Sequence, residues 1–190
     1  VECLYPPDAT PVTDGTAMRA IALTRSGFGT LPDEDVDEQR LYESVAGVVT
    51  AQYGISTPDA YRASVVHAFA HGFSNDYDVH QGTVHGILAP HVLEYVFDHA
   101  DARRDLLAEA FGVADPGASD AELAAAVVDA VAGVSDDLGL PSRLRAIDGL
   151  SRADFPDIAA EIRDDSMLAA APAGVDPSIA EIEAVLEAAW

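Results

Sequence analysis

A chain of 190 residues that is 49% hydrophobic is long enough to bury a core of its own, as one domain or two closely packed halves. Thirty-three acidic residues face ten basic ones, all arginine, for a formal net charge of -23. Such a surface repels phosphate backbones and anionic lipid, which argues against nucleic-acid binding and membrane-surface roles. The acidity, with no lysine at all, points to a halophilic cytoplasm in which salt screens the self-repulsion. Cys3 is the only cysteine, so an internal disulfide and a cysteine zinc site are both excluded. The longest apolar run, 121–134, is interrupted by Asp129 and falls short of the ~18 residues of a membrane span.

The elements read in order as helices. Pro11, Thr13 and Asp14 start a first one, with Met18, Ile21, Ala22 and Phe28 at helical spacing until Gly27, Gly29 and Pro32 end it. The acidic run 33–38 suits the positive end of a second, whose expected buried stripe is Leu41, Tyr42, Val45, Val48, Val49 and Tyr53. Thr57 is the expected cap of a third, with Pro58 at its first position, Asp59 in the first turn and its end near Gly72. A fourth begins near Gly82 and runs to about Phe97, with a kink or break at Pro90. A fifth, with Leu106, Leu107, Ala110 and Phe111, stops at Gly112. A linker over 114–119 follows, and Ser119 and Glu122 form a capping box for a helix with Leu123, Val127 and Val131 inward. Short helices fill 141–163. Asp176 and Pro177 open the last helix, striped by Ile179, Ile182, Val185, Leu186 and Trp190. The fold expected is all-α, a helical bundle-like single domain over 1–190, with a site-bearing half (1–113) and a packing half (114–190).

The chemistry gathers in 65–95, which holds five of the six histidines. His67 and His71, four apart on a helix, point to one face and offer two imidazoles to one ion or one substrate, and Val65, Val66, Ala68, Phe69 and Ala70 would keep that face dry. Two core histidines satisfied by hydrogen bonds would give the same pattern, and His91 and His99 read more readily that way. A zinc protease is excluded because Ala68 stands where the general-base glutamate is needed. A di-iron bundle is excluded because no histidine has Glu three residues before it.

The stretch also resembles the signature of the iron-containing (group III) alcohol dehydrogenases: His67, His71, Gly82, Pro90 and His91 fall in register with it. The opening, VECLYPPDATPVTDGTAMRAI, resembles the passage after that family's first metal ligands, and His85 resembles its maleylacetate reductase branch. The likeness is strong over 1–113 and weaker over 164–190. It implies the dehydroquinate synthase-like C-terminal helical domain of an oxidoreductase that reduces a carbonyl or oxidises an alcohol by hydride transfer. NAD or NADP would be bound mainly by an N-terminal nucleotide-binding domain preceding Val1, and iron or zinc would lie between the two. By that register His67 is a metal ligand, His71 and His85 are the candidate catalytic groups, and Gln81 occupies the last ligand position, with His80 beside it as a substitute. The implied partners are a small alcohol or carbonyl substrate, the chain's own N-terminal domain and a second copy of the chain, in the cytoplasm. Gln81 also leaves open a metal-free or non-catalytic relative acting as a structural or interaction module.

Overall fold

A computed structural model describes residues 1–5, 9–29, 37–57, 60–61, 63–74 and 76–190, with the backbone alone described for 54–57 and 60–61. The α-helices are α1 (Pro11–Phe28), α2 (Glu38–Ile55), α3 (Val65–His71), α4 (Gln81–His99), α5 (Arg104–Phe111), α6 (Asp120–Asp137), α7 (Phe155–Arg163) and α8 (Ile179–Ala188). Single 3-10 turns lie at Leu144–Ala146, Arg152–Asp154 and Ser166–Ala170. Among the described residues the exception to helix and turn is a two-residue antiparallel pairing, Ser56 with Tyr61 and Thr57 with Ala60. No helix among the described residues is long and apolar enough to cross a membrane.

Helix α4 is central, packed against α3, α6 and α8, while α7 and the turn Ser166–Ala170 close over α3. Phe69 and Phe73 from the α3 segment, Leu88 and Leu93 from α4, Ile162 from α7 and Leu186 from α8 are wholly buried together. Pro90 sits inside α4, which is assigned as one continuous helix through it. At Gly72 a Cβ would lie 2.7 Å from Ile162 Cγ1, so the end of α3 and the face of α7 meet closer than any side chain would allow. That contact carries the residues after α7 to the end of the histidine helix.

Three expectations are corrected here. The third helix begins at Val65, not at Thr57, whose backbone is in the short pairing; Pro58 and Asp59 lie outside the described residues. The reason is that α3 takes its N-terminal acceptor from Glu2 across the fold rather than from a local cap. The last helix is capped by Ser178, and Asp176 instead pairs with Arg163 at 2.7 Å; Ile179 stands exposed while Ile182, Val185 and Leu186 are buried.

The largest correction concerns α2. Leu41, Tyr42, Val45, Val48, Val49 and Tyr53 are exposed, Tyr42 at 65% and Tyr53 at 68%. Helix α2 instead meets α1 along a seam of small residues, with Thr13, Ala17, Ala20, Leu23 and Gly27 as the buried face of α1. A Cβ on Gly27 would lie 2.6 Å from Ser44 N and 2.8 Å from Arg40 O, and one on Gly47 would lie 2.9 Å from Thr24 N. Because the neighbours are backbone atoms, Gly27→Ala is expected to force the pair apart at about 1–3 kcal/mol, measured by denaturant unfolding. An unchanged midpoint would mean that the helices slide without cost. Met18 and Ile21, expected at the centre of the α1 stripe, are only partly buried, and Ala22 is exposed. Pro32 and the run 33–36 lie outside the described residues.

The capping box Ser119/Glu122 is present, with Glu122 Oε2 2.8 Å from Ser119 N, and it recurs at Ser151/Asp154 and Ser178/Glu181. Bonds from those serines hold all three carboxyls below their ordinary values. A depressed folded-state value means the contribution is complete above the unfolded value, ~4, and is lost as pH falls through the lower folded one. The melting temperature should therefore fall on acidification below about pH 4, and fall less in a Ser119→Ala/Ser178→Ala double variant. Equal falls in the two proteins would remove the boxes from the account.

Candidate functional site

Helix α3 is only seven residues long, and its first amides turn inward, away from water. Glu2, 4% exposed, meets them: its Oε1 accepts from Ser64 N at 3.1 Å, Val66 N at 2.7 Å and His67 N at 3.4 Å, and from the Tyr5 hydroxyl at 3.3 Å. Its other oxygen, Oε2, is bonded to His67 Nδ1. Burial by itself would raise the Glu2 pKa, but the hydrogen bond and charge of His67 outweigh it and hold the carboxyl below its ordinary value. The buried Tyr5 hydroxyl is pushed well up, by burial first and then by Glu2. A carboxylate only accepts, so His67 Nδ1 carries the hydrogen of this bond, which leaves Nε2 as the nitrogen whose lone pair, in the neutral ring, is the one a histidine offers to a metal.

One turn later His71 repeats the arrangement with a different partner. Its Nδ1 lies 2.8 Å from Asp165 Oδ2. The second oxygen of Asp165 accepts from Met167 N at 2.7 Å and so starts the 3-10 turn that follows. Asp165 thus has one oxygen fixed by backbone and the other on the imidazole, and it leaves His71 Nε2 as the nitrogen that takes or gives a proton.

His85, on α4, brings its ring to 4.5 Å from that of His67, tilted by 56°. Its Nε2 is buried with no hydrogen-bond partner among the described residues. Burial, with the neighbouring His67 adding to it, drives the His85 pKa down to about 4, so the ring is neutral at physiological pH. The fold therefore brings His67 and His85 together.

The other expected residues are placed differently. His80 is the N-cap of α4, its Nδ1 accepting from Gly82 N at 3.1 Å, and Gln81 is the exposed first residue of that helix. His91 is partly buried, and His99 is bonded to Tyr95 O at 2.8 Å through Nδ1. Among the described residues no three His, Cys, Asp or Glu side chains gather as a set able to hold a metal ion. His67 has the chemistry of one ligand, but the described residues do not by themselves make a complete metal centre.

Glu2 and Asp165 were not among the residues expected from sequence. Glu2 left one faint signal, a lone acid in the otherwise apolar opening VECLY, and Asp165 left none.

The whole chain, residues 1–190, matches the model of the C-terminal part of the Fe-containing alcohol dehydrogenase family. It is 30% identical over 187 residues to a 1,3-propanediol dehydrogenase of Citrobacter freundii, covering 96% of this chain and 46% of that protein. To a lactaldehyde reductase of Escherichia coli (strain K12) it is 28% identical over 179 residues, covering 93% and 43%. The fold superposes on a crystal structure of 1,3-propanediol oxidoreductase with a TM-score of 0.83 at 27% identity, over 99% of this chain and 48% of the other. The chain thus spans just under half the length of these relatives. With its helical core and a family model matched over its full length, the chain belongs to the iron-containing alcohol dehydrogenase family, as its C-terminal helical domain.

Proposed function

We propose that this chain is the substrate-side half of an NAD(P)-linked oxidoreductase that interconverts a small alcohol and its carbonyl, with His71 relaying the proton. The observation that carries the reading is the His71–Asp165 pair, one helical turn from the His67–Glu2 pair. When bound, the nicotinamide supplies the hydride, which goes to the carbonyl carbon. The carbonyl oxygen then gains negative charge and must take a proton. His71 gives that proton from Nε2, while Asp165 across the ring holds the hydrogen on Nδ1 and stabilises the imidazolium form. In the oxidising direction the same nitrogen takes the hydroxyl proton. His85, neutral and next to His67, can offer a hydrogen bond to the same oxygen without adding charge.

The rest of the assembly is part of the proposal. No Gly-rich strand-to-helix turn appears in the sequence, so the dinucleotide is assigned mainly to the other half of the protein, of the length that the relatives carry beyond the matched region. The exposed apolar face of α2 is the surface that such a half would cover. The exposed Gln81, at the position where the family resemblance puts a histidine ligand, favours a second reading, a relative that kept the fold without turnover.

The deciding experiment is oxidation of NADH and NADPH by the full-length protein, followed optically with a panel of small aldehydes and ketones. Turnover with one of them supports the dehydrogenase reading. No turnover by the folded protein, with or without added ferrous iron or zinc, overturns it in favour of the second.

A further inference from the structure

Between α4 and α5 the backbone takes a conformation that side chains resist. Ala102 and Arg103, with φ of 46° and 55°, are the non-glycine residues of positive φ among those described. Left-handed backbone is costly for a residue with a Cβ, and two in succession persist only where their surroundings hold them. Asp101 Oδ2 accepts from Arg103 N at 3.0 Å, and the Ala102 side chain is buried. Arg103 stands at the N-cap of α5 yet gives that helix no side-chain cap. Its guanidinium reaches across the fold instead. Nη1 donates to Leu4 O at 2.8 Å and to Asp14 Oδ1 at 2.8 Å, and Nη2 donates to Asp14 Oδ2 at 2.6 Å.

The two acceptors belong to different pieces of the chain. Asp14 is in the first turn of α1, whereas Leu4 is in the opening segment 1–5, which is not helical and closes a turn through Leu4 N to Val1 O at 3.0 Å. That segment carries Glu2, which accepts from the first amides of α3 and bonds to His67 Nδ1. The buried side chains of Cys3, Leu4 and Tyr5 hold the segment to the core, but apolar contact is non-directional and does not fix its register. A planar guanidinium does, since it can fork onto a carboxylate and keep a further hydrogen for a carbonyl at a set angle. We propose that Arg103 is a positioning residue for the histidine site. By clasping Leu4 to Asp14 it sets the register of the opening segment, and so keeps Glu2 on the amides of α3 and on His67. The strained turn before α5 is what aims the side chain there.

The test uses the full-length protein. Arg103→Gly is the informative variant, because glycine takes the left-handed conformation freely, so the clasp is lost while the turn is kept. Amide hydrogen exchange at Val66 and His67 should quicken roughly tenfold or more, as charge-assisted hydrogen bonds there open locally, with Val127 on α6 left as it was. The imidazole nitrogen resonances of His67 should lose their Nδ1-protonated signature, while those of His71, held by Asp165, should stay. Arg103→Lys keeps the charge but not the fork; it should fall between the two, and it carries the comparison if Arg103→Gly does not fold. A folded variant in which α3 and His67 are unmoved, or in which all the helices exchange faster together, overturns the proposal. The turnover arm rests on the dehydrogenase reading above: kcat should fall along with the His67 signature, and KM should change less. Undiminished turnover with His67 loosened also overturns the role in the site. A selective change at His67 in a protein that turns nothing over keeps the clasp and rejects the dehydrogenase reading.

Discussion

Glu2→Ala is expected to cost the protein about 3–5 kcal/mol of folding stability, because several buried donors lose their one acceptor together. The size follows from what the carboxylate holds. Three backbone amides at the start of α3 and the Tyr5 hydroxyl converge on one oxygen, and His67 Nδ1 is bonded to the other. The residue preceding α3, Ser64, gives no side-chain cap to that helix, and its own hydroxyl is buried without a partner among the described residues. Alanine would therefore strand several buried donors at once, each worth roughly 1–3 kcal/mol when unmet. Glu2→Gln should lose less, because a neutral amide oxygen still accepts from the helix while the charge facing His67 is gone. Urea unfolding of the three proteins checks this. A loss of under ~1 kcal/mol in Glu2→Ala would show that water replaces the carboxylate and that it does not anchor the helix.

His71→Ala should lower kcat of the full-length enzyme by ~10²–10⁴-fold, the range in which a positioned acid or base contributes. The fold itself should survive, since the His71 side chain is 33% exposed and its hydrogen bond is to a single partner. Asp165→Asn should give a smaller fall, expressed in kcat more than in KM, because the amide keeps the ring in place but cannot balance an imidazolium charge. The informative comparison is the pH profile. If Asp165 acts through His71, Asp165→Asn displaces the limb that His71→Ala abolishes. Full activity in His71→Ala would remove the proton-relay role, and a profile unmoved in Asp165→Asn would reduce that aspartate to a cap on the turn at Ser166–Ala170.

Much of the scaffold was legible because its signals are local. The Ser119/Glu122 box and the stop at Gly112 in the left-handed conformation follow from residues within a few positions of one another, whereas α4, expected to kink or break at Pro90, runs through it as one helix. Where a signal depended on what lay opposite, the reading slipped. The apolar stripe of α2 has the right period for a buried face, yet period says only that the residues share a side. The opposite side, with Ser44 and Gly47, could approach α1 more closely, and close backbone approach decided which face was covered. Thr57 likewise has the chemistry of a cap and is followed by proline, but a buried carboxylate from the start of the chain captured the helix start eight residues later.

The same division runs through the site. By its own pattern the sequence determined that His67 and His71 share one helix face, that His85 follows on the next helix, and that the domain is helical and strongly acidic. Only the tertiary structure decided which of their nitrogens are committed, because the committing groups, Glu2 and Asp165, stand 65 and 94 residues away from the histidines that they hold. Helical periodicity acts over one or two turns, whereas a histidine's tautomer is set by whichever acceptor the packed core brings to its ring. In this protein the fit of Gly72 against Ile162 carries the turn after α7 to His71, and the packing of the opening residues carries Glu2 to the start of α3.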